Sequence, residues 1–177
     1  MIVIHIDNTP DAAILSRIYD SLDNITLFYN RNKSNIKRLL RIAGDEPVMI
    51  LGHGTLNGLL NKSRNGFALG SEAVEWLRNR TVIGIFCYAS EFADKYKLHG
   101  FFTSMFISNM EEASYENMQE GVDDKLIEDQ MTLFCDKVHD LICHNIPLSE
   151  WVSILQKDAD ISIPFVRFNY EALTYYE

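Results

Sequence analysis

Short runs of β-branched and apolar residues alternate along the chain with segments whose apolar residues recur at helical spacing. Residues 2–6 (Ile-Val-Ile-His-Ile) read as a strand, and the stretch 11–22 that follows places Ile14, Leu15, Ile18, Tyr19 and Leu22 on one helical face. The unit repeats. Residues 25–29 read as a strand, and residues 35–43 put Ile36, Leu39, Leu40 and Ala43 on one stripe with basic residues opposite, closed by Gly44. Residues 48–51 and 81–86 give a third and a fourth strand, and residues 101–108 a fifth. Between the third and fourth, Asn65-Gly66 sits in a polar turn between two short apolar pieces and predicts a small hairpin, and Ser71 is placed to cap a helix through Arg78.

Parallel neighbours need crossovers, and right-handed crossovers pack helices back onto the sheet. The pattern therefore predicts a single α/β domain over residues 1–177, a three-layer αβα sandwich on a mostly parallel sheet. A sixth, edge strand is expected over 163–168, and the longest helix over 125–144. In such sheets, function resides where strands end at their carboxyl edge.

Charge and cysteine usage narrow the classes further. With 16 Lys+Arg against 25 Asp+Glu, the net charge is −9, and no basic cluster stands out, so a nucleic-acid surface or an anionic membrane is not expected as a partner. The amino terminus lacks a basic leader, and no apolar run approaches the roughly 20 residues of a membrane helix. Three cysteines, Cys87, Cys135 and Cys143, form an odd set in a core-rich chain, which points to free thiols and a cytoplasmic setting.

Two reactive side chains occupy matching positions: His53, in Gly52-His53-Gly54, directly after the third strand, and Cys87 directly after the fourth. Neighbouring strands would bring them to one crevice, where imidazole can take the thiol proton for nucleophilic attack and return it to a leaving group. The Gly54 N–H and the Cys87 N–H are the candidate oxyanion donors. Taken singly, each residue has a plainer explanation, a small buried hydrophobe for Cys87 and a tight turn for His53. An activated Cys87 would carry a thiolate of depressed pKa and alkylate faster than Cys135 or Cys143.

An apolar strand, His-Gly, a spacer, a second apolar strand and Cys resembles the signature of the caspase-like cysteine peptidases. Val48 to Gly54 and Val82 to Cys87 carry the match. The resemblance implies strand order 2-1-3-4-5 with a sixth antiparallel strand at the edge, His53 as general base, Cys87 as nucleophile, Gly54 as an oxyanion-hole donor, and no metal or organic cofactor. A peptide or protein would be the substrate. The departures are a His-to-Cys interval shorter than the roughly 50 of caspases, Phe86 where the family has a small residue, no Asp just before the cysteine, and no caspase pentapeptide.

Alternatives remain beside it. A catalytically silent caspase-like module would bind a protein partner or small ligand at the same crevice, and a flavodoxin-like domain would bind an anionic ligand near strands one and three. There is no Gly-x-Ser-x-Gly elbow, no Gly-x-Gly-x-x-Gly and no P-loop ending. Cys135, His139 and Cys143 recur every four residues on one helix. The outer pair is roughly 12 Å apart along the axis, too far for one ion, so packing is the expected role. His5 is read as a core histidine bonded to backbone, and Ser108 and Asn109 as residues shaping the cleft. The acidic stretch 111–124 is read as a solvated loop and helix start, with a cleavable activation loop as the other reading. An uncovered edge strand leaves room for a homodimer.

Overall fold

The computed structural model describes residues 1–7 and 9–177. Six strands form the main sheet: β1 (Ile2–Ile6), β2 (Thr26–Tyr29), β3 (Val48–Gly52), β7 (Thr81–Ile85), β8 (His99–Phe102) and β9 (Thr174–Tyr176). Their order is β2-β1-β3-β7-β8-β9, with β9 antiparallel to β8 and every other pair parallel. Counted within this sheet alone, that is 2-1-3-4-5-6, the order expected. Three short strands, β4 (Gly54–Thr55), β5 (Gly58–Leu60) and β6 (Phe67–Leu69), form a separate antiparallel sheet just after β3.

The central strands are buried on both faces, so they read as continuous apolar runs rather than alternating ones. One face, with Val3, Met49, Leu51, Ile83 and Phe101, packs on α1 (Pro10–Ala13) and the 3-10 turn behind it, α6 (Asp124–Cys143), α7 (Leu148–Asp158) and α8 (Pro164–Glu171). The other, with Ile2, Ile4, Ile50, Val82 and Phe102, packs on α2 (Lys33–Ile42), α3 (Val74–Leu77) and α4 (Ala89–Tyr96). Helices therefore cover both sides of the sheet. Among the described residues, no helix is long and apolar enough to cross a membrane.

Several boundaries differ from the sequence expectation. Residues 163–168 are not a strand: Pro164 opens α8, and Phe165, Val166, Asn169 and Tyr170 bury one helical face, while the antiparallel edge strand is Thr174–Tyr176. The fifth strand ends at Phe102 instead of running to 108. Beyond it, the Asn169 side chain substitutes for a neighbouring strand by accepting from Ile107 N at 2.7 Å and donating to Ile107 O at 2.9 Å. The first helix is one turn of α followed by 3-10 geometry through Ile18. Ser71 does not cap; the cap position is Gly70, whose N–H the Glu72 carboxylate accepts, and the helix shrinks to a 3-10 turn plus α3. The hairpin turn spans residues 61–66, with Arg64 in the left-handed conformation in place of a two-residue Asn-Gly turn. Within the acidic stretch, Asn109 caps a real helix, α5 (Met110–Tyr115).

Candidate active site

Gly52 ends β3 at φ +137°, opposite Ile6 in the register, and a Cβ there would lie 2.5 Å from the Ile6 carbonyl oxygen. Only glycine lets the chain leave the sheet at this point and present His53 at its rim. One strand over, β7 runs out through Phe86 into Cys87. Tyr88 follows with φ +66°, a left-handed conformation that costs a bulky residue about 1 kcal/mol or more, and α4 begins at Ala89. Thr103 pins this exit, since its hydroxyl accepts from Phe86 N at 3.2 Å and donates to Phe86 O at 3.0 Å. Because β3 and β7 are paired in parallel, His53 and Cys87 stand at the same rim and line one pocket.

His53 is held from behind. Its Nε2 lies 2.7 Å from Thr9 Oγ1 and 3.3 Å from Asp11 Oδ2, both from the loop and first turn that follow β1, the strand on the other side of β3. A carboxylate only accepts, so the proton belongs on Nε2 and Nδ1 carries the lone pair. Asp11 is itself clamped, accepting from Ser108 Oγ at 2.8 Å and Asn109 Nδ2 at 3.0 Å. Burial opposes its ionisation, yet the hydrogen bonds from His53, Thr9, Asn109 and Ser108 outweigh burial and hold the carboxyl well below its ordinary range.

Cys87 faces a different environment. Its half-buried Sγ donates weakly to Phe106 O at 3.8 Å and lies 4.0 Å from Glu112 Oε1. Burial first, and then the charges of Glu112 and Asp11, push the thiol up to about 12. The expectation of a depressed thiol pKa is thus reversed, first because the sulfur is buried and then because two carboxylates stand where the sequence suggested only an imidazole. Glu112 is also raised, by burial and by Asp11. Ser108 Oγ lies within hydrogen-bond distance of both acids, 2.8 Å from Asp11 and 2.9 Å from Glu112 Oε2, but it has a single proton to give. The Ser108 backbone N–H supplies Glu112 Oε2 with a second donor at 2.8 Å, so one serine holds both acids in place.

These opposite shifts predict a pH signature. Asp11, depressed in the fold, contributes stability that is present above about pH 4 and is lost as pH falls through its folded value. Glu112, raised in the fold, contributes stability present below its ordinary value and lost as pH rises through the folded one. Asp11→Asn, which leaves His53 and Ser108 without their anionic acceptor, is expected to cost about 2 kcal/mol at pH 7 and to flatten the acid limb of a stability-against-pH curve. Urea unfolding from pH 2 to 8 measures both.

Gly54 belongs to the small sheet. Leu60 N donates to His53 O, so the neighbouring pair Gly54 and Leu59 is the one without ladder hydrogen bonds, and the Gly54 N–H points away from β5. The Phe86 ring fills the space where a side chain at 54 would be, 2.2 Å from that Cβ position. The pocket lined by His53, Cys87, Phe86 and Phe106 is partly open to solvent and leaves about 30 Å³ for water, room for a molecule or two. Among the described residues no hydrogen bond joins His53 to Cys87, and no group of three or more His, Cys, Asp or Glu is placed to hold a metal ion.

The remaining candidates sort cleanly. His5 is fully buried, with Nε2 2.9 Å from Ala12 O and Nδ1 2.9 Å from the Tyr19 hydroxyl, a core histidine as expected. Cys135 is buried, but Cys143 is exposed instead of packed. Ser108 and Asn109 do reach the cleft, through Asp11. Asp11, Thr9 and Glu112 were not anticipated. A Thr-Pro-Asp sequence two residues beyond the end of β1 is the signal that points to the first two, because it sets a cap and an acid at the same rim as His53. No protein-family model matches the chain, and no curated protein sequence matches it.

Proposed function

We propose that the chain is a caspase-like cysteine hydrolase, most simply an endopeptidase, held at rest in a latent form. The observation that carries this reading is the placement of His53 and Cys87 at the ends of adjacent parallel strands, with the imidazole anchored through Nε2 so that its basic Nδ1 is left for the reaction. The sheet order, with a sixth antiparallel strand, supports the caspase-like assignment.

In this scheme a peptide carbonyl enters beside Cys87. The Cys87 thiol gives its proton to His53 Nδ1 as sulfur bonds to the carbonyl carbon, and the oxyanion is received by the N–H groups of Gly54 and Cys87. The C–N bond then breaks, His53 returns the proton to the departing amine, and a thioester remains. Water attacks the thioester while His53 takes its proton, and that proton regenerates the thiol as the carboxylic acid leaves. Asp11 keeps the imidazole oriented and stabilises it when it is protonated.

A second reading, a catalytically silent module that binds a partner or small ligand at the same crevice, is favoured by one observation: the Cys87 thiol is pushed up to about 12, first by burial, in a pocket that leaves only about 30 Å³ for water. A diverse peptide library followed by mass spectrometry separates the two. Cleavage by the wild type that falls at least about a thousandfold in both Cys87→Ala and His53→Ala supports the hydrolase. No cleavage, together with no labelling of Cys87 by peptidyl acyloxymethyl ketones, leaves the binding module.

A further inference from the structure

The opposite end of the sheet carries a feature that the hydrolase reading does not use. Strand β2 is an open edge: β1 pairs with one side of it and nothing among the described residues pairs with the other. Thr26 N and Asn30 N donate inward to Met1 O and His5 O, so by the alternation of a parallel ladder the N–H and C=O groups of Leu27 and Tyr29 face outward. Both side chains are more than two-fifths exposed, on the face of the sheet that carries α1.

On the other face, α2 and its approach hold five of the 16 basic residues, Arg31, Lys33, Lys37, Arg38 and Arg41, and the sequence has no acid between Asn24 and Gly44. The net charge of −9 conceals this stripe, contrary to the expectation that no basic cluster stands out. Lys33 pairs with Glu72 and Lys37 sits over the Trp76 ring, whereas Arg31, Arg38 and Arg41 form no ion pair among the described residues. Arg31 and Arg38 flank a groove that runs between Leu27 and Ile42, and Ile42 is 70% exposed.

We propose that the β2 edge is a docking site for an extended acidic segment of another protein, which adds to the sheet as a further strand. Side chains alternate across a strand, so the fitting segment alternates acidic residues, facing Arg31 and Arg38, with apolar ones covering Leu27 and Tyr29. A second copy docked by its own β2 would bring like charge against like charge, which disfavours a symmetric dimer at this edge. Single-stranded nucleic acid would use the arginines but would leave the outward Leu27 and Tyr29 backbone groups without strand partners.

The test uses a fluorescein-labelled nonapeptide alternating Glu with Val, a Lys/Val counterpart, and a single-stranded oligonucleotide. Binding of the Glu peptide alone is expected, with hydrogen exchange at the Leu27 and Tyr29 amides slowed at least about tenfold. Affinity should fall at least about tenfold in Arg31→Glu/Arg38→Glu and weaken as salt rises. Leu27→Pro removes an outward N–H that the native sheet does not use and should also abolish binding. If it impairs folding, the surface charge reversal and the exchange measurement carry the test. Equal binding of the Lys peptide, unchanged exchange at Leu27 and Tyr29, or binding of the oligonucleotide in place of the Glu peptide would each overturn the proposal.

Discussion

Gly100→Ala is expected to cost about 4 kcal/mol or more, enough to leave a chain of this size largely unfolded in mild urea. Gly100 sits in β8 at φ +133°, directly opposite Val82 of β7, and a Cβ there would lie 1.9 Å from Val82 O and 2.8 Å from Val82 C and N. The obstructing atoms belong to the backbone of a central strand, so no side-chain rotation relieves the overlap. Moving β8 away would also displace β9 and release Thr103, whose hydroxyl fixes Phe86 next to Cys87. Gly52→Ala should follow, at about 3 kcal/mol, because it combines φ +137° with an approach of 2.5 Å to Ile6 O. Gly44, with nothing within 4 Å of its Cβ position, should tolerate alanine within about 0.5 kcal/mol. Urea midpoints for the three variants test the order, and a Gly100→Ala protein within 1 kcal/mol of wild type would contradict the geometry of the β7–β8 pair.

The parts of the fold that were legible in the sequence are those where local pattern and tertiary role agree. Strands β1, β3 and β7 are buried on both faces, so their apolar runs stand out, and Gly52-His53 and Cys87 mark where two of those runs stop. The segment 163–168 misled because its apolar residues satisfy a strand pattern as well as a helical one, and Pro164 at the first helical position decides between them. The candidate site was only half visible. Asp11 and Glu112 lie about a hundred residues apart in sequence, and Ser108 brings them together. Glu112 is hidden within an acidic run that resembles a solvated loop, and it reaches Cys87 only because Asn109 starts a helix there, α5. The basic stripe on α2 was masked for the opposite reason: a whole-chain charge sum averages away a local excess that the helix concentrates on one surface.

At pH 7, iodoacetamide is expected to modify Cys143 first and Cys87 about three orders of magnitude more slowly than an ordinary free thiol. A thiol at about 12 is ionised in only about one molecule in 10⁵ at this pH, against roughly 3 in 100 for an unperturbed cysteine. Cys143, by contrast, is exposed, and its Sγ lies 3.3 Å from His139 Nε2. His139 Nδ1 donates to Ile18 O at 3.1 Å, which leaves Nε2 as the acceptor for the Cys143 proton. His139→Ala should therefore slow Cys143 labelling several-fold, while Glu112→Gln, by removing one of the two charges beside Cys87, should speed Cys87 labelling about tenfold. Site-resolved mass spectrometry follows all three cysteines in one reaction. Rapid labelling of Cys87 in the wild type would mean that its thiolate is already stabilised at rest, and the Glu112 carboxylate could then not stand against the sulfur as described. Slow labelling by iodoacetamide combined with fast labelling by a peptidyl electrophile would place activation in substrate binding, with the arriving carbonyl displacing the acid from the thiol and giving the proton on sulfur a route to His53.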